Sequence, residues 1–515
     1  MKAVATLAAL ALVASCDGAS EISIGASTAP TFYVGPAGSD DNPGTQALPW
    51  RTFAKALPRL LPGRTLVLLD GTYTPADAGR LEIRCGTNAN SGTSTEPVTL
   101  RAQNQRAAFL RGDGNAPPFF MEGCSYWNVD GVRAESADAP GAPDTPDAGS
   151  VFLLGGGNHN VTLTHLLGAH PNRFKHSHGL RITDGSSDVT VEECELYSFH
   201  HNAFETVRTS GVVFRRNYMN SRATPDINAP GAYVSDDITR GDIGVLFDET
   251  RSGIAENNIV ESIQSGVAVL GRYEMLPSDM PPPVDQPTDG NNVLGNVVLF
   301  PSANGYRIDS RCVAAPCMDP PRIVTHTTLT DDVVVGGIAG VESTGAIATT
   351  INRLTAIFAT TGVSIAVSPP NVGFLASSST ANTLVTGFQA AGFSSMGEDM
   401  WGFDHCAATG AGGPPFLPAD AHVTSPVTVD TKLGACIVSL PLGSPLRGAG
   451  AGGSDVGASV VNRYQDSLLT NERLWNATTG AFPCGAVIPG VNDDPTQSCI
   501  GVNERLHVGA AGCPL

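Results

Sequence analysis

A small residue followed by alternating apolar positions recurs through the middle of the chain. The instances are Gly179-Leu180-Arg181-Ile182, Ala203-Phe204-Glu205-Thr206, Gly244-Val245-Leu246-Phe247, Gly266-Val267-Ala268-Val269 and Gly305-Tyr306-Arg307-Ile308. Alternation with period two predicts short strands with one face turned inward. Successive instances are 24, 41, 22 and 39 residues apart. Two of these intervals are single coils of a solenoid; the other two fit a coil plus a loop of roughly 17–20 residues. A second phase runs in register: Val189-Thr190-Val191 precedes Cys194, Val212-Val213-Phe214 precedes Asn217, Gly253-Ile254-Ala255 precedes Asn258, and Val293-Leu294-Gly295 precedes Asn296. Each coil thus supplies at least two strands with inward aliphatics. One coil cannot bury its own apolar face, so neighbours must stack. Asn217, Asn258 and Asn296 are predicted to stack as an internal ladder at a turn.

The long insertions fall at 220–242 and 272–291, the second holding Pro281-Pro282-Pro283. Loops leaving a solenoid form the walls of ligand grooves. Apolar stretches at 333–341 and 363–367 carry the coils to about residue 405.

The segment before the repeats runs Tyr33-Val34-Gly35-Pro36-Ala37-Gly38-Ser39-Asp40-Asp41-Asn42-Pro43-Gly44-Thr45, then Pro49-Trp50-Arg51-Thr52-Phe53 and Lys55-Ala56-Leu57. It ends in Pro62-Gly63-Arg64-Thr65-Leu66-Val67-Leu68-Leu69-Asp70-Gly71-Thr72-Tyr73. It reads as a strand, a turn-rich loop, a short helix at about Phe53–Leu60 and a second strand. Such a helix covers the open end of a solenoid, where apolar surface and an unpaired edge would face water. Over residues 33–73 the chain resembles the N-terminal segment of parallel β-helix proteins related to pectate lyase family 9 and chondroitinase B. The fold expected is therefore all-β, a right-handed parallel β-helix over 31–459. Ser444-Pro445-Leu446-Arg447-Gly448 and Ser454-Asp455-Val456-Gly457-Ala458 resemble the closing segment of such helices. Residues 460–515 read as a Cys-rich C-terminal cap or small module.

At the N-terminus, Lys2 precedes an apolar run from Ala3 to Ala14. The run falls short of the roughly 20 residues that span a bilayer. It fits a signal peptide, residues 1–15, and Val13-Ala14-Ser15-Cys16 resembles a bacterial lipobox. The resemblance implies lipidation at Cys16, a tether over 16–30, and a lipoprotein anchored in the cell envelope.

Composition narrows the class further. Gly 58 and Pro 37 with 15% charged residues suit a turn-rich β protein. A net charge of −19 leaves no global basic surface for nucleic acid or anionic lipid. Eleven Cys less Cys16 leave an even ten, as expected of an exported disulfide protein. Cys312/Cys317, Cys484/Cys499, Cys85/Cys124 and Cys406/Cys436 are plausible pairs, leaving Cys194 and Cys513.

Candidate chemistry concentrates in one window. Seven of the eleven His fall there: His159, His165, His170, His176, His178, His200 and His201. Arg173, Lys175, Arg181, Arg208, Arg215, Arg216 and Arg222 make it locally basic. Aligning Gly179 with Ala203 stacks His176 on His200 and Ser177 on His201, with Asp242 one coil later. The same register puts Arg181 beside Glu205, and Arg208 between Asp184 and Glu249, at about 4.8 Å per coil. Those two charge sets read first as structural ion-pair ladders. The stacked histidines are harder to explain structurally, because protonated neighbours repel. A His-based metal site is one reading of them, though no H-E-x-x-H spacing is present. Ser235-Asp236-Asp237 with Arg240, Asp242 and Asp248 offers hard oxygen ligands suited to Ca²⁺, or a solvated acidic loop.

The resemblance implies a polysaccharide lyase acting on uronic-acid-containing chains by β-elimination. The expected catalytic residues are Lys175, His176, His178, His200, His201 and Arg208, with Lys175, His200 or Arg208 as base. Arg173, Arg181, Glu205 and Arg240 would bind an acidic polysaccharide. Asp236, Asp237 and Asp242 would hold Ca²⁺. A non-catalytic glycan- or protein-binding surface is the alternative. A hydrolase on the same fold ranks below both, because His178-Gly179 precedes Asp236-Asp237, the reverse of the polygalacturonase order.

Overall fold

A computed structural model describes residues 30–141, 149–174, 176–221, 241–271, 288–310, 323–366, 378–396, 401–410, 412–417, 422–429 and 433–514. The chain winds through three parallel sheets in turn. Sheet I has 14 strands, from Thr31–Val34 to Val423–Thr424; sheets II and III have 12 each among the described residues. Sheet II runs from Gly71–Tyr73 to Ala407–Gly410, and sheet III from Leu81–Arg84 to Phe416–Leu417.

The register is the one read from the sequence. Leu180 pairs with Phe204, Phe204 with Val245, Val245 with Val267 and Val267 with Tyr306. The inward set Leu180, Phe204, Val245, Val267 and Tyr306 belongs to one continuous buried core. The small residues before these strands are a packing requirement. A Cβ on Gly266 would stand 2.3 Å from a Val298 methyl and 2.5 Å from the Gly305 carbonyl. The aliphatics of sheet II fill that corner, so glycine is required there.

The asparagine ladder is present and buried. Asn217 Nδ2 donates to Asn258 Oδ1 at 3.0 Å, and Asn258 Nδ2 to Asn296 Oδ1 at 2.9 Å. Each amide also donates to a carbonyl of the preceding coil: Asn217 to Val191, Asn258 to Phe214 and Asn296 to Ala255. The ladder ends on Asp332, whose Oδ1 accepts from Asn296 N and Nδ2. Asp332 Oδ2 is buried with no hydrogen-bond partner among the described residues. Burial therefore drives the Asp332 carboxyl well above its ordinary value, against the opposing hydrogen bonds from Asn296. A raised folded-state pKa favours folding below the unfolded carboxylate value, a contribution lost as pH rises. Asp332→Asn removes that loss, so it should raise the urea midpoint more at pH 8 than at pH 4. Asn258→Ala leaves ladder groups unpaired and should cost about 2–3 kcal/mol in urea unfolding.

The helix at the N-terminal end spans Phe53–Ala56, continues as a 3₁₀ turn through Arg59, and is capped by Thr52, whose Oγ1 accepts from Lys55 N at 3.2 Å. Phe53, Ala56, Leu57 and Leu60 are buried in the main core, as the cap reading requires.

The C-terminal segment takes a different course from the expected end cap. It runs back along the outside of the coils. Ala451 N donates to Asn382, Ala458 N to Thr355, Tyr464 N to Asn257, and Gly485 N to Glu195. Val438, Val460, Trp475, Phe482 and Val502 bury the outward residues of sheet II, from Leu167 and Tyr197 to Val333 and Ile357. An antiparallel hairpin, Asn462–Gln465 with Leu468–Arg473, lies within this strap. The apolar outward residues of sheet II form a second core with the strap.

The disulfides follow from that course. Cys85–Cys124 and Cys484–Cys499 form as expected. Cys436 pairs with Cys513, closing the strap on itself, and not with Cys406. Cys406 and Cys194 are buried free thiols inside the coils. Cys312, Cys317, Cys16, and with it the signal peptide and most of the tether, lie outside the described residues. No helix among the described residues is long and apolar enough to cross a membrane.

Candidate functional site

The coil register divides the histidine-rich window between two places. His165 belongs to the turn between sheets I and II, in the left-handed conformation with φ 53°. Its Nδ1 lies 2.6 Å from Asp130 and its Nε2 3.3 Å from Glu193. Hydrogen bonds to Asp130 and then Glu193 push His165 up to about 9. A raised pKa of this kind stabilises the fold below the unfolded value and is lost as pH rises through about 9. NMR titration of His165 should find the imidazolium intact at pH 8. His159 is exposed and meets Ser187 at 2.9 Å. These two histidines are structural.

His176, His178, His200 and His201 lie at the entry to sheet III. Strand Leu180–Thr183 pairs with Phe204–Val207, which sets Arg181 directly opposite Glu205 on the outward side. The loop residues before each strand then meet. His178 Nδ1 lies 2.7 Å from Glu205 Oε2 and 3.4 Å from His201 Nδ1. Arg181 Nε lies 3.3 Å from the same Glu205 oxygen. On its far side, His201 Nε2 is 3.5 Å from Asp242 Oδ2. The His176 ring stands edge-on to His201, centroids 5.5 Å apart.

The cluster is closely packed. His178, His200, Arg181 and Glu205 are buried, while the His201 and Asp242 side chains keep 9% and 14% exposure. Access from solvent is therefore over His176, which is half-buried, and past His201 and Asp242. Burial alone would push the Glu205 carboxyl up, but His178 and Arg181 outweigh it and hold Glu205 well below the ordinary range. Burial, reinforced by the charge of His178, pushes His201 well below its ordinary value. Glu205 is thus an anion and His201 a neutral imidazole at neutral pH.

Other expected site residues fall elsewhere. Arg208 is half-buried at the far end of its strand and hydrogen-bonds Asp184 through Nε at 2.9 Å. Asp184, Arg208 and Glu249 all take left-handed turn conformations, φ 53°, 54° and 48°, so this stack is a ladder at a turn. Arg173 pairs with Asp138 at 3.0 Å and covers the Phe174 ring. Arg215 and Arg216 bind Glu192 and Glu193, and Arg215 reaches Asp466 on the strap. Lys175, Arg222, Asp236, Asp237 and Arg240 lie outside the described residues.

Asp242, expected among oxygen ligands for Ca²⁺, stands instead behind His201. Among the described residues, the group able to hold a cation is His178, His201 and Glu205, its ligand atoms within 4.8 Å of one another. Two imidazole nitrogens and one carboxylate do not suit calcium, which takes six to eight oxygens. The sequence offers a His-based metal site as one reading of the stacked histidines, with Asp236, Asp237 and Asp242 as the expected Ca²⁺ ligands and Glu205 as a substrate-binding residue. The available signal was Glu205, one coil from Arg181 and four residues after His201.

No protein-family model matches the chain. Pectate lyase L from Dickeya chrysanthemi is 30% identical over 196 residues, which are 36% of this chain and 41% of that protein. The uncharacterized protein YwoF from Bacillus subtilis is 33% identical over 85 residues, 16% of each chain. Pectate lyase PEL9 from Emericella nidulans is 34% identical over 82 residues, 16% of this chain and 18% of that one. The chain thus spans less than half the length of these curated relatives. Among solved structures, the A-module of Azotobacter vinelandii mannuronan C-5 epimerase AlgE6 superposes with a TM-score of 0.49 at 13% identity, over 72% of this chain and 92% of that one. Pectate lyase Pel9A gives 0.40 at 14% identity, over 83% and 95%. The chain is a right-handed parallel β-helix protein related in sequence to pectate lyases.

Proposed function

We propose that the protein acts on an acidic polysaccharide at the outward face of sheet III, cleaving it by β-elimination. The observation that supports this most is the convergence of Arg181, Glu205, His178, His201 and Asp242 on adjacent coils, buried except for the His201 and Asp242 side chains at 9% and 14% exposure. A uronate carboxylate next to the scissile bond must be neutralised before its C5 proton becomes acidic. Arg181 is the cation at the centre of the cluster. His176, half-buried at its rim against His201, is the group placed to take the proton. The C5–H electron pair forms the C4–C5 double bond as the C4–O bond breaks, and the leaving oxygen takes up a proton. The sequence relation to pectate lyases supports the substrate class. Export and anchoring through Cys16 belong to the same proposal, since such a polymer lies outside the cell.

Incubation with pectate, alginate and glycosaminoglycans, each with and without Ca²⁺, tests the reaction. Ultraviolet absorbance of an unsaturated product is expected on at least one polymer. New reducing ends without unsaturation would establish hydrolysis instead. Retention on an acidic glycan with no product of either kind would establish a binder. The Ca²⁺ arm tests the calcium reading of Asp236 and Asp237.

A further inference from the structure

We infer that His178, His201 and Glu205 form a binding site for a divalent transition metal of the Zn²⁺ class. The three side chains come from two adjacent coils and meet at His178 Nδ1. That atom lies 3.4 Å from His201 Nδ1 and 2.7 Å from Glu205 Oε2. Two nitrogens bound to one Zn²⁺ at about 2.0–2.1 Å in tetrahedral geometry stand about 3.4 Å apart. The imidazole pair already has that spacing. The carboxylate oxygen sits closer, at 2.7 Å from His178 Nδ1, so holding a metal between them requires a shift of roughly half an ångström of the Glu205 side chain.

The surroundings also match such a site. A ligating histidine presents one nitrogen to the metal and the other to a carboxylate, which fixes the tautomer. His201 has this arrangement, with Nδ1 toward His178 and Nε2 toward Asp242 at 3.5 Å.

The donor set selects the metal. Two imidazoles and one carboxylate suit Zn²⁺ and its first-row neighbours, and disfavour Ca²⁺ and Mg²⁺. Three protein ligands leave a fourth position open. With Zn²⁺ bound, the positive charges of the metal and Arg181 exceed the negative charges of Glu205 and Asp242. The open position therefore favours an anion, such as a carboxylate, over a neutral sugar hydroxyl. The metal site does not depend on the elimination reading and stands or falls separately.

The test is a Zn²⁺ titration of the purified full chain after stripping with a chelator, against a competing metal indicator. One tight equivalent is expected, undisturbed by a hundredfold excess of Ca²⁺. His201→Ala and Glu205→Gln should each weaken it about tenfold or more, while His326→Ala, at an exposed pair elsewhere, should not. Cu²⁺ bound to the unmodified chain should show electron-paramagnetic hyperfine coupling to two imidazole nitrogens, a readout that needs no variant to fold. Absence of Zn²⁺ binding, binding unchanged in Glu205→Gln, or coupling to fewer than two nitrogens would overturn the assignment. Elimination that survives in stripped protein leaves the reaction intact while separating it from the metal.

Discussion

Arg106→Ala is expected to destabilise the chain by about 3–5 kcal/mol, read as a fall in its urea midpoint. Arg106 and Glu195 form an ion pair with side-chain exposures of 0% and 1%. The Arg106 guanidinium also donates to the carbonyls of His165 and Leu166. Glu195 accepts from Tyr197 and from Gly485 N and Asn492 Nδ2 on the strap. Removing Arg106 strands a carboxylate at the junction of solenoid and strap. Burial alone would raise Glu195, but Arg106, then Tyr197 and Gly485, outweigh it and hold its pKa below the ordinary value. A depressed carboxylate contributes stability above its unfolded value, lost as pH falls through its folded value. In Arg106→Ala burial dominates, the sign reverses, and stability should instead fall as pH rises past about 4. Equal midpoints at pH 7, or an unchanged pH slope, would show that the pair is dispensable. Gly485→Ala probes the same junction, because its Cβ would overlap the Arg106 guanidinium at 2.0 Å.

The second large effect is expected from Cys436→Ser with Cys513→Ser. This disulfide joins residues 77 apart and closes the strap into a loop. The chain-entropy relation gives about 4.5 kcal/mol for a loop of that length, against about 3 kcal/mol for the 15-residue Cys484–Cys499 loop. The double serine variant should therefore lose roughly 1–1.5 kcal/mol more than Cys484→Ser with Cys499→Ser. The strap should also open to protease before the coils do, because it packs on the outside of the coils without joining their sheets. Loss of all structure together would mean that strap and solenoid fold as one unit.

Much of the solenoid was legible because its coils obey a steric rule that shows in the sequence. The Gly244, Gly266 and Gly305 stack exists because Val260, Val298 and Val334 fill the corner, and a Cβ has no room there. The asparagine ladder was readable for a similar reason, since a side chain that serves the next coil must recur once per coil. The strap was not legible. Trp475, Phe482 and Val502 bury sheet II at sequence separations of hundreds of residues, with no periodicity to announce them. Register also explains how much of the site was readable. It brought Arg181 to Glu205 and Asp242 to His201, but strand pairing does not fix side-chain rotamers. The turn of His178 toward Glu205 and His201, and the pairing of Arg208 with Asp184 at a turn, were therefore hidden.

The central claim is that the histidine, arginine and glutamate cluster on sheet III is a site of chemistry on acidic glycans. Its most direct test follows ultraviolet absorbance of pectate, alginate and glycosaminoglycans with the intact chain and His176→Ala side by side. A rise on one polymer, reduced about 100-fold or more in a folded His176→Ala chain, is the expected result. No rise on any polymer, or equal rates in the two proteins, would contradict the account.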